Sequence, residues 1–245
     1  MLEDNSSLLD STYSHLKNMI IMGKYSQNSR LVVSKLSEEL GVSHTPINEA
    51  LNRLVSEGYV EFMPRRGMKV KKLTFEEIAE TYEMRKMIEL YCAEDMIHYA
   101  KTVPLYLEEL HKCTDKQNEM GYKINAENDM KHFFEYETYF HQLLLSATNN
   151  KQMFTLYRNL KSNGMFYYMM QSTHHKLSKS RYLQTMKEHG DILKALEDEN
   201  LRRLKTLLTR HLEKSQENLI LTIQNEKEHD NSPFIQSLRM RKRDK

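Results

Sequence analysis

Between Ser34 and Val70 the spacing of apolar side chains changes character three times. Leu36, Leu40 and Val42 fall at helical steps and then cross a turn, and Ile47, Ala50, Leu51, Leu54 and Val55 recur every three or four residues. Tyr59-Val60-Glu61-Phe62 alternates. This pattern predicts two short helices followed by a strand. Gly41 stands where the first helix must end in a left-handed conformation, which a residue without Cβ adopts freely. Ser43 or Thr45 is expected to accept the free N–H groups of the second helix, and Pro46 suits its first turn. Gly58 closes that helix. Pro64-Arg65-Arg66-Gly67 then reads as a cationic tight turn before Met68-Lys69-Val70 returns as a second strand.

Beyond Leu73 the texture becomes helical almost to residue 223, with few glycines or prolines. Thr74-Phe75-Glu76-Glu77 spells a capping box, in which Thr74 and Glu77 satisfy each other's backbone donors. Helices are predicted near 74–100, 104–121, 126–148, 151–173, 178–198 and 200–223. Pro104, Gly121-Tyr122, Asn149-Asn150 and Asp198-Glu199-Asn200 supply the breaks. The expected architecture is mainly α: an N-terminal winged helix-turn-helix with a small β-hairpin wing (1–73), then an antiparallel bundle of about six helices (74–225). A basic tail (226–245) ending in RMRKRDK is expected to be disordered and is assigned no function.

The second short helix buries one face and turns His44, Thr45, Asn48, Glu49 and Asn52 outward. A hydrogen-bonding helix face followed by a two-arginine wing is suited to the major groove of DNA and its phosphates. A helical hairpin with a glycine turn is also common inside bundles, so the wing is what favours DNA. The run GVSHTPINEALNRL (41–54) resembles the winged helix-turn-helix of the GntR family of bacterial transcription regulators, usually written Gly-Val-Ser-Arg-Thr-Pro-Val-Arg-Glu-Ala-Leu-Arg-Arg-Leu. The likeness extends upstream through TYSHLKNMIIMGKYSQNSRL (12–31). It implies DNA contacts from Ser34, Ser43, His44, Thr45, Asn48, Asn52, Arg65, Arg66 and Gly67. His44, Asn48 and Asn52 stand where the family usually carries basic residues, and asparagine reads adenine where arginine reads guanine. A different operator is therefore expected.

Composition narrows the setting. The 245 residues are 39% hydrophobic with a formal net charge of +2, and mean hydropathy is −0.71. Two modest soluble domains fit these values, and a non-specific DNA coat does not. No apolar run approaches the ~18 residues of a membrane span, and MLEDNSSLLDS lacks the features of a signal peptide, so no membrane partner and a cytoplasmic location are expected. The two cysteines, Cys92 and Cys113, read as reduced thiols in or near a core.

The bundle carries a second chemical signal. Glu137 and His141 stand four apart on one helix, which puts a carboxylate and an imidazole one turn apart on one face; this is metal-ligand spacing, though common by chance. His189 and His211 lie eleven residues before and eleven after Asn200. If the last two helices form a hairpin, each is ~16 Å from the turn and the pair sits level. Ordinary histidines on amphipathic faces would fit the same positions. Here the resemblance adds weight. FHQLLLSATNN and EHGDILKALEDENLRRLKTLLTRHL resemble the helical C-terminal domain of the FadR-like branch. There an Asp-x-x-x-His pair and two further histidines hold a divalent metal beneath an acidic effector. The resemblance implies a metal at Glu137, His141, His189 and His211. Glu137 replaces the usual aspartate, which leaves open direct ligation, ligation through water, or a three-histidine site. Zinc or nickel suits this donor set best, with manganese also possible.

The same resemblance places Arg85, in YEMRKMIELY, where the family carries an arginine, and an arginine can clamp a carboxylate bidentately. An ion pair with Glu89 is the competing role. Phe166, Tyr167, Tyr168, Met169 and Met170 read either as core or as pocket lining. The expected function is a homodimeric regulator on a double-stranded DNA operator, modulated by a small carboxylate effector beside the metal. A regulator with a purely structural metal is the alternative, and a metal-dependent hydrolase is a remote one, since no phosphate loop, nucleophile elbow or HExxH pair is present.

Overall fold

A computed structural model of the chain describes residues 3–21, 23–72, 74–123, 127–162 and 179–230. These residues form ten helices and one three-stranded sheet. The N-terminal half runs α1 (Glu3–Ile21), β1 (Arg30–Leu31), α2 (Val33–Leu40), α3 (His44–Ser56), β2 (Val60–Met63) and β3 (Gly67–Val70). Gly41 ends α2 with φ 65°. Leu16 and Ile20 from α1 close over Ile47, Leu51 and Leu54 of α3 in one core. Ser43 does stand at the N-cap of α3, yet its side chain makes no capping bond, contrary to the expectation that a hydroxyl would satisfy that end.

The wing is a hairpin with Phe62 opposite Met68 and Met63 opposite Gly67. A third strand that the sequence pattern does not reveal, β1, pairs antiparallel with β3 and gives the order β1-β3-β2. At two residues β1 is too short to show alternation, and its partner makes it a strand. Arg65 at the hairpin tip has φ 61° and Gly67 has φ 84°, so the turn uses left-handed backbone at both positions.

The bundle comprises α4 (Phe75–Tyr91), α5 (Ala93–Thr102), α6 (Pro104–Lys123), α7 (Glu127–Leu145), α8 (Lys151–Ser162), α9 (Lys179–Glu197) and α10 (Leu201–Asp230). The capping box forms as read, with Glu77 N–H donating to Thr74 Oγ1 at 3.2 Å and Thr74 N–H to Glu77 Oε2 at 3.1 Å. One long helix expected over 74–100 is instead two, divided at Cys92, so seven described helices replace the expected six. Helical hydrogen bonds enter and leave Cys92 (Cys92 N–H to Ile88 O, Met96 N–H to Cys92 O), so the division is a bend rather than a gap. Buried Cys92 and Ala93 anchor that bend in the core, which periodicity alone does not register. α10 runs to Asp230, past the 223 read from spacing. Phe166 to Met170 and the RMRKRDK run lie outside the described residues.

The cores of the two halves meet. Phe133 and Phe134 of α7 and Tyr182 and Met186 of α9 belong to the same apolar cluster as the α1–α3 core. Gly121 of α6 makes room for this contact: a Cβ there would collide with Met186 Sδ and stand 3.1 Å from a Phe133 ring carbon.

Candidate functional site

On the winged half, Ile47, Ala50, Leu51 and Leu54 bury one face of α3, and that orients the other face outward. His44, Thr45, Asn48 and Asn52 are exposed on it, with Ser43 just before the helix and Ser34 exposed on α2. Asn48 Nδ2 donates one of its two hydrogens to His44 O at 2.9 Å, so a base edge would be met by the second hydrogen and Oδ1. Arg65, Arg66 and Gly67 are exposed at the wing tip. A network holds α3 against α1: Tyr13 Oη donates to Glu57 at 2.7 Å, Lys17 Nζ lies 2.7 Å from Glu57 Oε2, and Arg53 stacks 3.8 Å from the Tyr13 ring centroid. Burial alone would raise the Glu57 carboxyl, but hydrogen bonds from Lys17 and Tyr13 outweigh it and hold the group below the usual carboxylate range.

In the bundle, the four residues singled out for a metal come together from three helices. Glu137 and His141 lie on α7, His189 on α9 and His211 on α10, and one ligand atom from each falls within 4.8 Å of the others. The last two helices do form the expected hairpin, with the His189 and His211 rings 4.8 Å apart, centroid to centroid. Glu137 Oε1 lies 3.5 Å from His141 Nε2. All three imidazoles are at most 1% exposed.

Their outer hydrogen bonds fix which nitrogen faces inward. His141 Nδ1 is 2.8 Å from Glu89 Oε2, His189 Nδ1 is 2.7 Å from Gln117 Oε1, and His211 Nδ1 is 2.9 Å from Glu188 Oε2. Each partner oxygen can only accept, so each Nδ1 carries the hydrogen, and in the neutral ring this leaves an Nε2 lone pair. The Nε2 atoms of His141 and His211 face each other at 3.0 Å. Two lone pairs at that distance repel unless a proton or a cation lies between them. Outward Nδ1–H to an oxygen acceptor, with inward Nε2, is how metal-binding histidines are oriented.

The sequence marks Glu89 only as an ion-pair partner of Arg85 and does not single out Gln117 and Glu188. Gln117 carries no local signal, and Glu188, adjacent to His189 in the chain, bonds His211 instead. Burial opposes ionisation of Glu188, but bonds from His211 and Gln184 outweigh it and lower its carboxyl. A cleft of about 150 Å³ reaches His211 from outside, lined by Lys187, Glu188, Arg210 and Lys214 among others.

Arg85 lies beside the cluster, 1% exposed. Its Nη2 is 3.3 Å from Glu89 Oε1, and its Nε donates to Tyr157 Oη at 3.3 Å. The competing role foreseen for it, an ion pair with Glu89, is therefore present. Burial works against the guanidinium charge, but Tyr157, Glu89, Tyr82 and Glu137 outweigh it, and Arg85 is held above its ordinary range. Burial pushes the Tyr157 hydroxyl well up, so it stays protonated and donates to Glu89.

A winged helix presenting a polar recognition face, joined to a helical bundle with a buried polar cluster, defines a DNA-binding transcription regulator. Residues 8–70 match the bacterial regulatory proteins of the gntR family, and residues 80–214 match the FCD domain. The chain belongs to the GntR family of transcription regulators, with an FCD domain as its C-terminal half; the domains are those of regulators and not of enzymes. It is 24% identical over 217 residues to the uncharacterized HTH-type transcriptional regulator YdhC of Bacillus subtilis (strain 168), across 89% of this chain and 93% of that one. It is 28% identical over 146 residues to the gluconate operon transcriptional repressor of the same organism, across 60% of this chain and 57% of that one. In fold it is similar to E. coli McbR/YncC, with a TM-score of 0.70 at 20% identity over 89% of this chain and 98% of that one. Among the described residues, no helix is long and apolar enough to cross a membrane.

Proposed function

We propose that this regulator holds one divalent metal at His141, His189 and His211, with Glu137 as the carboxylate member, and binds a small carboxylate beside it. The observation that carries this reading is the convergence of three imidazole Nε2 atoms, each turned inward by an outer Nδ1–H bond, with two of them 3.0 Å apart. Three imidazoles with one carboxylate suit zinc or nickel, and manganese less well. A bound metal would supply a Lewis-acidic point for the anion's oxygen. Arg85 supplies the second hold: its buried Nη2 is ion-paired with Glu89 Oε1 at 3.3 Å but makes no hydrogen bond, so a carboxylate oxygen that displaces Glu89 finds a donor there. A sugar acid or other small organic acid has the right chemistry, in line with the operon named for the gluconate relative.

The proposed output is operator affinity. The helices that carry the ligands also carry the contact with the winged half: Phe133 precedes Glu137 by four residues on α7, and Met186 precedes His189 by three on α9. An ion held by Glu137, His141 and His189 would therefore act on the same two helices that make this contact. In a homodimer, two α3 helices on half-sites one helical turn apart respond to such a shift. Exposed His44, Thr45, Asn48 and Asn52 would read base edges, with Ser34, Ser43, Arg65, Arg66 and Gly67 against the backbone. The test is operator binding by the full chain, stripped with chelator, then reloaded with zinc or nickel, with and without a panel of carboxylic acids. An effector should change affinity by about 5- to 150-fold, the ordinary range of coupling. Unaltered affinity across the panel would reduce the metal to a structural role.

A further inference from the structure

Glu89 is completely buried, and its two oxygens serve different masters. Oε2 accepts from His141 Nδ1 at 2.8 Å. Oε1 takes the Tyr157 hydroxyl and faces Arg85 Nη2 at 3.3 Å. One carboxylate thus orients an imidazole of the cluster and also neutralises the guanidinium that an incoming anion would need. Arg85, Glu89 and Tyr157 all lie inside the protein, so the ion pair has little water to screen it.

We infer that Glu89 is the exchangeable positioning carboxylate of this site, supporting the metal through His141 while competing with the anionic ligand for Arg85. The inference rests on the metal-and-carboxylate reading above and deepens it. A carboxylate at the outer edge of a ligating imidazole holds the ring and raises its basicity, so Glu89 favours the metal. An arriving anion must take over Arg85 Nη2 from Glu89 Oε1, so the same residue disfavours the anion. These opposed roles give Glu89 an unusual signature. Replacing its charge should weaken one ligand and strengthen the other, a pattern that general damage to the fold does not produce.

The test uses the full chain stripped of metal and the variant Glu89→Gln. Zinc alone is titrated against a chromophoric competitor; acetate is then titrated at saturating zinc, with chloride as the ionic-strength control. In Glu89→Gln, zinc affinity should fall by about 10- to 100-fold, and acetate affinity should rise by about tenfold, within the range of site-to-site coupling. Should that variant fail to fold, Arg85→Gln with Glu89→Gln removes both charges together and leaves no orphan ion. In that double variant, zinc affinity must still fall by a similar factor and the acetate gain must vanish. Zinc and acetate affinities that move together, or stay unmoved, overturn the role of Glu89. A wild-type chain that takes up no zinc overturns the metal reading itself.

Discussion

In the winged half, the groups that would meet the operator are exposed neighbours on one helix: His44, Thr45, Asn48 and Asn52 span nine residues of α3. In the bundle, the groups that would meet a metal are at most 1% exposed and come from helices as far apart in sequence as His141 and His211. The first surface stands on an apolar core and is separate from it. The second is embedded in its core, with Phe140 stacked 4.0 Å from His189, centroid to centroid. An exposed recognition face can change its residues at small cost to stability, because water satisfies whatever is left over. A buried polar cluster needs a partner for every donor and acceptor, which is why each imidazole here brings a Glu or Gln from elsewhere.

That contrast can be broken from either side. The largest expected effect is on the core beneath the recognition face. Leu51 is 0% exposed in the α1–α3 cluster, and Leu51→Ala should lower the stability of the winged half by about 2–5 kcal/mol. Urea unfolding and operator binding should both register the loss, with zinc uptake by the bundle unchanged. Equal damage to zinc uptake would mean that the shared Phe133 and Met186 contact makes the halves one folding unit. A smaller effect is expected on the surface itself. Asn48→Arg should leave stability and metal uptake as they are and shift base preference toward guanine by about 1–3 kcal/mol at one operator position. Selection from random duplexes reads this directly, and an unchanged preference would remove Asn48 from the reading face.

The same contrast explains how much of the molecule is legible in its sequence. Gly41, the apolar faces of α2 and α3 and the Pro64-to-Gly67 turn are local signals, and the structure follows them closely. The capping box at Thr74 is local too. Strand β1 and the bend at Cys92 are set by partners distant in the chain, and spacing does not disclose them. In the cluster, the Glu137–His141 pair is visible as one helical turn, and His189 and His211 are visible through hairpin symmetry about Asn200. Gln117, Glu188 and the double service of Glu89 are not visible. They lie 72, 23 and 52 residues from the imidazoles they orient, and no periodicity joins residues at such separations.

The central claim is that three inward Nε2 atoms form a divalent-metal site. Its most direct test is the metal stoichiometry and melting temperature of the full chain, purified without a nickel column, stripped with chelator and titrated with zinc or nickel. The account predicts one metal per chain, a melting temperature that rises with metal concentration, and loss of both in His189→Ala and His211→Ala. A stripped wild-type chain that takes up no metal, or alanine variants that take up as much as the wild type, would contradict it.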